Sequence, residues 1–185
     1  IIGPELYTVV ANAGPDLNYC SGSSMAIGSP SLPSYTYSWS PIANLSSSTV
    51  ANPTVIIINN GTSNIVTDYV VTATNNGCSV TDTVRVTVFP LPTSIFSATG
   101  PVCVAESAFI SYTGNAGAGA TYLWDFDGGI IVSGSGQGPY LISWPVSGTK
   151  NVTLTVLQNG CLSSTTTVIT MVNPPDANAG ADVSF

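Results

Sequence analysis

Tyr69-Val70-Val71-Thr72-Ala73-Thr74-Asn75-Asn76-Gly77-Cys78-Ser79-Val80-Thr81-Asp82-Thr83-Val84-Arg85-Val86-Thr87-Val88-Phe89 reads as a β-hairpin. β-Branched residues dominate both arms, valine stands at 80, 84, 86 and 88, and Asn75-Asn76-Gly77 is a turn signal between them. The pattern returns further along. Val152 to Val156 forms an arm, Asn159-Gly160 the turn, and a Val-rich strand runs on to Pro174 as Val84 runs on to Pro90. Each turn is followed at once by a cysteine, Cys78 and Cys161.

Working outward, the repetition extends over the chain. Cys20 and Cys78 are 58 positions apart, as are Cys103 and Cys161, and both members shift by 83. Tyr37-Ser38-Trp39 returns as Tyr122-Leu123-Trp124, and Ala11-Asn12-Ala13-Gly14-Pro15-Asp16 as Ala177-Asn178-Ala179-Gly180-Ala181-Asp182. The chain therefore divides into residues 1–10 as the end of a preceding unit or linker, a first repeat over 11–91, a second over 92–174, and the start of a third over 175–185. Pro90-Leu91-Pro92 and Pro174-Pro175 mark the boundaries. Such prolines stiffen a linker and interrupt a ladder, so an extended rod is expected. Strand signals recur about seven times per repeat, among them Met25–Ile27, Tyr35–Ser40, Thr54–Ile58, Phe109–Tyr112, Tyr122–Phe126 and Tyr140–Trp144. The fold class is all-β: tandem immunoglobulin-like sandwiches.

Composition narrows the chemistry. The 185 residues carry 6% charged side chains, against about 25% in an ordinary domain. Two bases and nine acids give a net charge of −7, and histidine is absent. The commonest general base and zinc ligand is therefore missing, and with it every Ser-His-Asp or Cys-His arrangement. Arg85 and Lys150 alone cannot build a phosphate-binding surface, which excludes nucleic acid as a partner. Mean hydropathy is +0.37, but the most apolar stretch, Val55–Ile58, is far short of the roughly 18 residues of a spanning helix, so no membrane insertion is expected. No basic segment precedes an apolar run at the start, so a signal peptide is absent, removed, or outside this sequence.

The segment Tyr122-Leu123-Trp124-Asp125-Phe126-Asp127-Gly128, with Gly148 and Asn151 to Val156, resembles the Trp-Asp-Phe-Gly-Asp-Gly signature and the following strand of polycystic-kidney-disease (PKD) domains. Asp127-Gly128-Gly129 replaces Gly-Asp-Gly, and the first repeat keeps only Tyr37-x-Trp39 and the hairpin. Ala-Asn-Ala-Gly-x-Asp, Leu45-Ser46-Ser47-Ser48, Ala51-Asn52-Pro53 and Asn-Gly-Cys-x-x-Thr-Asp-Thr-Val are similar to the cysteine-containing PKD-like repeats of very large bacterial surface proteins. The gliding-motility adhesins secreted by the type IX pathway are built of these. The resemblance implies a filamentous cell-surface adhesin, outside the cell, serving attachment or gliding. Its partners would be neighbouring repeats and polysaccharide or surface glycans. The alternative is an accessory spacer or carbohydrate-binding module of a secreted polysaccharide-degrading enzyme. Neither reading places catalysis in this segment.

Several residues invite a specific role. Four cysteines in two equally spaced pairs fit a disulfide framework in an oxidising compartment, and two distant thiols per repeat do not make a zinc site. The shared spacing of 58 leads to the expectation Cys20–Cys78 and Cys103–Cys161, with both cysteines of a repeat toward one end of its sandwich. Asp125 and Asp127 form the one dense carboxylate cluster; read as a strand they share a face, a candidate for weak calcium binding in the millimolar range. No other cofactor is implied. Asp16 and Asp182, at the starts of repeats, are candidates to help hold a cation. Trp39 and Trp124 are expected in the cores, whereas Trp144, without a counterpart in the first repeat, is a candidate glycan-stacking residue. Asp82-Thr83-Val84 looks like an O-glycosylation site with Thr83 as acceptor. Asn44-Leu45-Ser46, Asn60-Gly61-Thr62 and Asn151-Val152-Thr153 match the N-glycosylation pattern.

Overall fold

A computed structural model describes residues 8–176. The expected residues 1–7 of the leading segment and 177–185 of a third repeat, with Asp182, lie outside the described residues. The chain forms two compact units. The first takes the residues up to Leu91 together with Asn159–Cys161, and the second takes Pro92–Gln158 and the chain from Leu162 onward.

The first unit contains β1 (Leu17–Cys20), β2 (Ser24–Ala26), β3 (Thr36–Ser40), β4 (Thr54–Ile56), β5 (Ile65–Asn75) and β6 (Cys78–Phe89). β1, β6, β5 and β3 make one sheet in that order, and β2 and β4 make the facing pair. The hairpin is long: β5 and β6 pair antiparallel from Ile65↔Val88 to Asn75↔Cys78. Asn76 and Gly77 turn with φ of 48° and 80°, the left-handed conformation a two-residue hairpin loop demands. Alternation then sets the faces. Tyr69, Val71 and Ala73 point inward with Val84, Val86 and Val88, and close on Trp39, Val55 and Ile57.

The second unit contains β7 (Phe96–Ala98), β8 (Val102–Cys103), β9 (Ser107–Tyr112), β10 (Thr121–Asp125), β11 (Ile130–Ser133), β12 (Tyr140–Ser143), β13 (Gly148–Gln158) and β14 (Cys161–Val172). β10, β13, β14 and β8 form the sheet equivalent to the first unit's larger one, and β11, β12, β9 and β7 form a facing sheet that has grown to four strands. Val152, Leu154 and Val156 of β13 and Ile169 and Met171 of β14 enclose the core with Ile110, Ile142 and Trp144. The units thus hold six and eight strands among the described residues, rather than seven each. Among the described residues no helix is long and apolar enough to cross a membrane.

The first strand of each larger sheet runs parallel to the last. Leu17, Asn18, Tyr19 and Cys20 pair with Val86, Thr87, Val88 and Phe89, and Val102 and Cys103 pair with Met171 and Val172. The two registers are identical once the 83-residue offset is applied.

Gly28 packs at a close approach in the first unit. Its φ is 83°, its N–H donates to the Ala13 carbonyl, and an added Cβ would collide with the Ala51 carbonyl and press on Trp39. Gly28→Ala should destabilise the first unit by about 2–5 kcal/mol, combining left-handed strain and overpacking. Urea unfolding followed by circular dichroism measures the loss; a change under 1 kcal/mol, smaller than the least left-handed strain expected, would contradict this packing.

Candidate functional site

The cysteines carry the clearest chemistry. Cys20 is bonded to Cys161, with a Cα–Cα distance of 5.6 Å, while Cys78 is an exposed thiol and Cys103 a half-buried one. Neither expected pair, Cys20–Cys78 or Cys103–Cys161, is formed, and the register of the first strand on the last explains why. Cys20 ends β1 beside Phe89, the last residue of β6, whereas Cys78 is the first residue of β6. Eleven steps of strand separate them, about 35 Å at the usual rise, and a disulfide tolerates no more than about 7 Å between Cα atoms. Cys103, beside Val172 at the end of β14, is equally remote from Cys161 at its start. Within each repeat the two cysteines occupy opposite ends of the sandwich.

Asp125 and Asp127 do not share a strand face. β10 ends at Asp125, and Asp127 turns with φ of 50° into Gly128. Asp125 Oδ1 accepts from the Asp127 N–H at 2.9 Å, and Asp127 Oδ2 accepts from the Asn151 N–H at 2.8 Å. The pair is a side-chain-capped turn that ties the end of β10 to β13. Among the described residues no group of three or more potential metal-ligating side chains gathers, there or elsewhere. Asp16 has a similar structural post: its Oδ1 accepts from the Arg85 N–H at 2.8 Å. The Arg85 guanidinium makes two hydrogen bonds to Asp68 across the β5–β6 pair, which holds the Asp68 carboxyl below its ordinary range. Both side chains are exposed, so this pair adds little stability.

Trp144 is 1% exposed, and its Nε1 donates to the Phe126 carbonyl at 2.8 Å. A ring with no free face cannot stack on a sugar, so Trp144 is a core residue, not a glycan contact. Trp124 is the half-buried one. It stacks on Phe126, meets Phe96 and Tyr140 edge-on, and donates to the Gly136 carbonyl. Trp124 packs against the core of the second unit and Trp39 sits fully buried in that of the first, as the sequence indicates; only Trp144 departs from its glycan-stacking reading. Thr83 is exposed on β6 opposite Val70; the neighbouring Asp82 carboxylate accepts from the Ala13 N–H at 2.8 Å. An apolar recess of about 380 Å³, lined by Val104, Ala105, Ile130, Ser143, Trp144 and Pro145, opens at the residues that follow Cys103.

In sequence, no protein family and no curated protein matches this chain. In structure, it is similar to the N-terminal eight Ig domains of Down Syndrome Cell Adhesion Molecule isoform 1.30.30, with a TM-score of 0.61 and 14% identity over 87% of this chain and 24% of that one. It is also similar to extracellular domains 3–5 of Drosophila OTK, with a TM-score of 0.54 and 13% identity over 91% of this chain and 62% of that one. The chain spans less than two thirds of either structure. At such identities the likeness is one of fold: the chain is an all-β protein of tandem immunoglobulin-like domains.

Trp144→Ala should remove about 3–5 kcal/mol from the second unit, with no glycan affinity to lose. Denaturant unfolding of the variant beside a glycan array of the parent chain measures both; a folded variant that has lost a glycan signal would restore the stacking role.

Proposed function

We propose that this chain is a structural, adhesive repeat segment of a secreted, filamentous cell-surface protein, of the PKD-like kind that serves surface attachment or gliding motility. The observation that carries the reading is the repeated sandwich with exposed faces built from hydroxyls rather than charges. Thr74 and Ser79 share a hydrogen bond across β5 and β6, and so do Thr153 and Thr166, and Thr155 and Ser164, across β13 and β14. Cross-strand hydroxyl pairs stabilise a sheet without charge. They suit a hydrated surface that touches polysaccharide weakly. The adhesion-molecule domains of like fold and the disulfide are consistent with a place outside the cell, where such bonds persist. Exposed Thr83 is the position we assign to O-glycosylation in that setting. Within the alternative, an accessory spacer or carbohydrate-binding module of a secreted enzyme, only the carbohydrate-binding form would have used Trp144, and that side chain is buried.

A spacer reading requires the two units to extend. Small-angle scattering should then give a radius of gyration clearly above the roughly 16 Å of a single compact body of this length. A value at 16 Å would overturn the spacer proposal.

A further inference from the structure

The repeat duplicates the surroundings of the cysteines as well as their spacing. Around Cys20, the Ser21 N–H donates to the Phe89 carbonyl at 2.9 Å, and the Ser23 N–H to the Cys20 carbonyl at 3.1 Å. Around Cys103, the Val104 N–H donates to the Val172 carbonyl at 2.9 Å, and the Glu106 N–H to the Cys103 carbonyl at 3.0 Å. Gly22 and Ala105, two residues after each cysteine, share the left-handed conformation with φ of 80° and 76°, although alanine is strained there. The hairpin cysteines are twinned as closely. Cys78 follows Asn76-Gly77 with φ of 48° and 80°, and Cys161 follows Asn159-Gly160 with φ of 52° and 79°. Cys103 is thus the twin of Cys20, and Cys78 the twin of Cys161, yet only Cys20 and Cys161 are bonded.

The existing bond joins the strand-end cysteine of one repeat to the hairpin cysteine of the next, 141 positions on. The turn travels with its cysteine: Asn159, Gly160 and Cys161 belong to the compact unit that holds Cys20, not to the one that holds the rest of their hairpin. The sequence opens a further repeat in the same chain, because Ala177 to Asp182 repeat Ala11 to Asp16. We propose that Cys103 is the linkage site for the hairpin cysteine of that following repeat, about 83 residues beyond Cys161, and that Cys78 pairs in the same way with the strand-end cysteine of a preceding repeat. Val104 and Ala105, next to Cys103, line the apolar recess of about 380 Å³. A hairpin turn arriving there would cover apolar surface and bring its cysteine to the half-buried Cys103 thiol.

Forming the bond takes thiol–disulfide exchange with a small-molecule disulfide as oxidant. The thiolate of the incoming hairpin cysteine attacks that disulfide, forms a mixed disulfide and expels one thiolate. The Cys103 thiolate then attacks the hairpin sulfur and expels the other. The two cysteines lose two electrons, the oxidant becomes two thiols, and the cysteine protons end on them. Links made by this rule overlap, because Cys103 lies 58 positions before Cys161. Every peptide bond between the first link and the last then lies inside a ring, so a single cut leaves the chain in one piece. The inference rests on the repeat and the existing bond, not on the spacer reading.

The test is peptide mapping of the natural protein, isolated without reductant, its free thiols alkylated, and cleaved on the N-terminal side of aspartate. Cys103 then lies on fragment 82–124 and Cys78 on 68–81. Fragment 82–124 should be joined to a peptide from beyond residue 185 that carries the hairpin cysteine of the following repeat. Fragment 68–81 should be joined to a peptide from before residue 1. Alkylated Cys103 or Cys78, or fragment 82–124 joined to 68–81, to 127–175 or to any peptide without a hairpin cysteine, would overturn the proposal. In the Cys103→Ser protein the following hairpin cysteine should become alkylated, while 16–67 stays joined to 127–175, which guards against misfolding as the cause. A following hairpin cysteine still bonded in that variant would also overturn the proposal.

Discussion

The parallel pairing of the first strand with the last fixes most of what matters here. It is a short contact, four residues of β1 on β6 and two of β8 on β14. Yet it closes the edge of each larger sheet, seats Tyr19 and Val102 against the cores, and sets where the first cysteine of each repeat lies. The strand lies along Val86–Phe89, the end of β6 opposite Cys78, so Cys20 sits at the far end of the sandwich and the repeat cannot link to itself. A cysteine pair that looks internal by spacing therefore belongs to successive repeats.

The hairpins were legible because their signals are strong and local. Asn-Gly turns demand the positive φ found at Asn76, Gly77, Asn159 and Gly160, and alternation sorts Val84, Val86 and Val88 inward. The short strands were not. β1 and β8 hold too few residues for alternation to show, and strand direction leaves no mark on composition. The disulfide expectation failed at that step. The shared strand face expected of Asp125 and Asp127 failed for a related reason: a strand reading ignored the following Gly128-Gly129, which lets the chain turn at Asp127. Motif position served for Trp39 and Trp124, which lie in or against their cores, but Trp144 has no counterpart in the first repeat from which its burial could be read.

The scarcity of charge has a structural counterpart. Where many domains would place Lys and Glu across neighbouring strands, this one places threonine and serine that bond each other, and one such cluster is buried. Ser94, 1% exposed, meets Thr165 at 2.7 Å and Ser163 at 3.1 Å, satisfying hydroxyls that would otherwise be costly inside. Hydroxyl pairs keep their strength in salt, unlike exposed ion pairs.

The central claim is that the register of the first strand, on the far end of the last, separates the two cysteines of each repeat. Cleavage on the N-terminal side of aspartate puts every cysteine on its own fragment: 16–67, 68–81, 82–124 and 127–175. After alkylation of free thiols, a non-reducing digest of the monomeric chain should show fragment 16–67 joined to 127–175, with 68–81 and 82–124 alkylated. Fragment 16–67 joined to 68–81, or 82–124 joined to 127–175, would contradict the account.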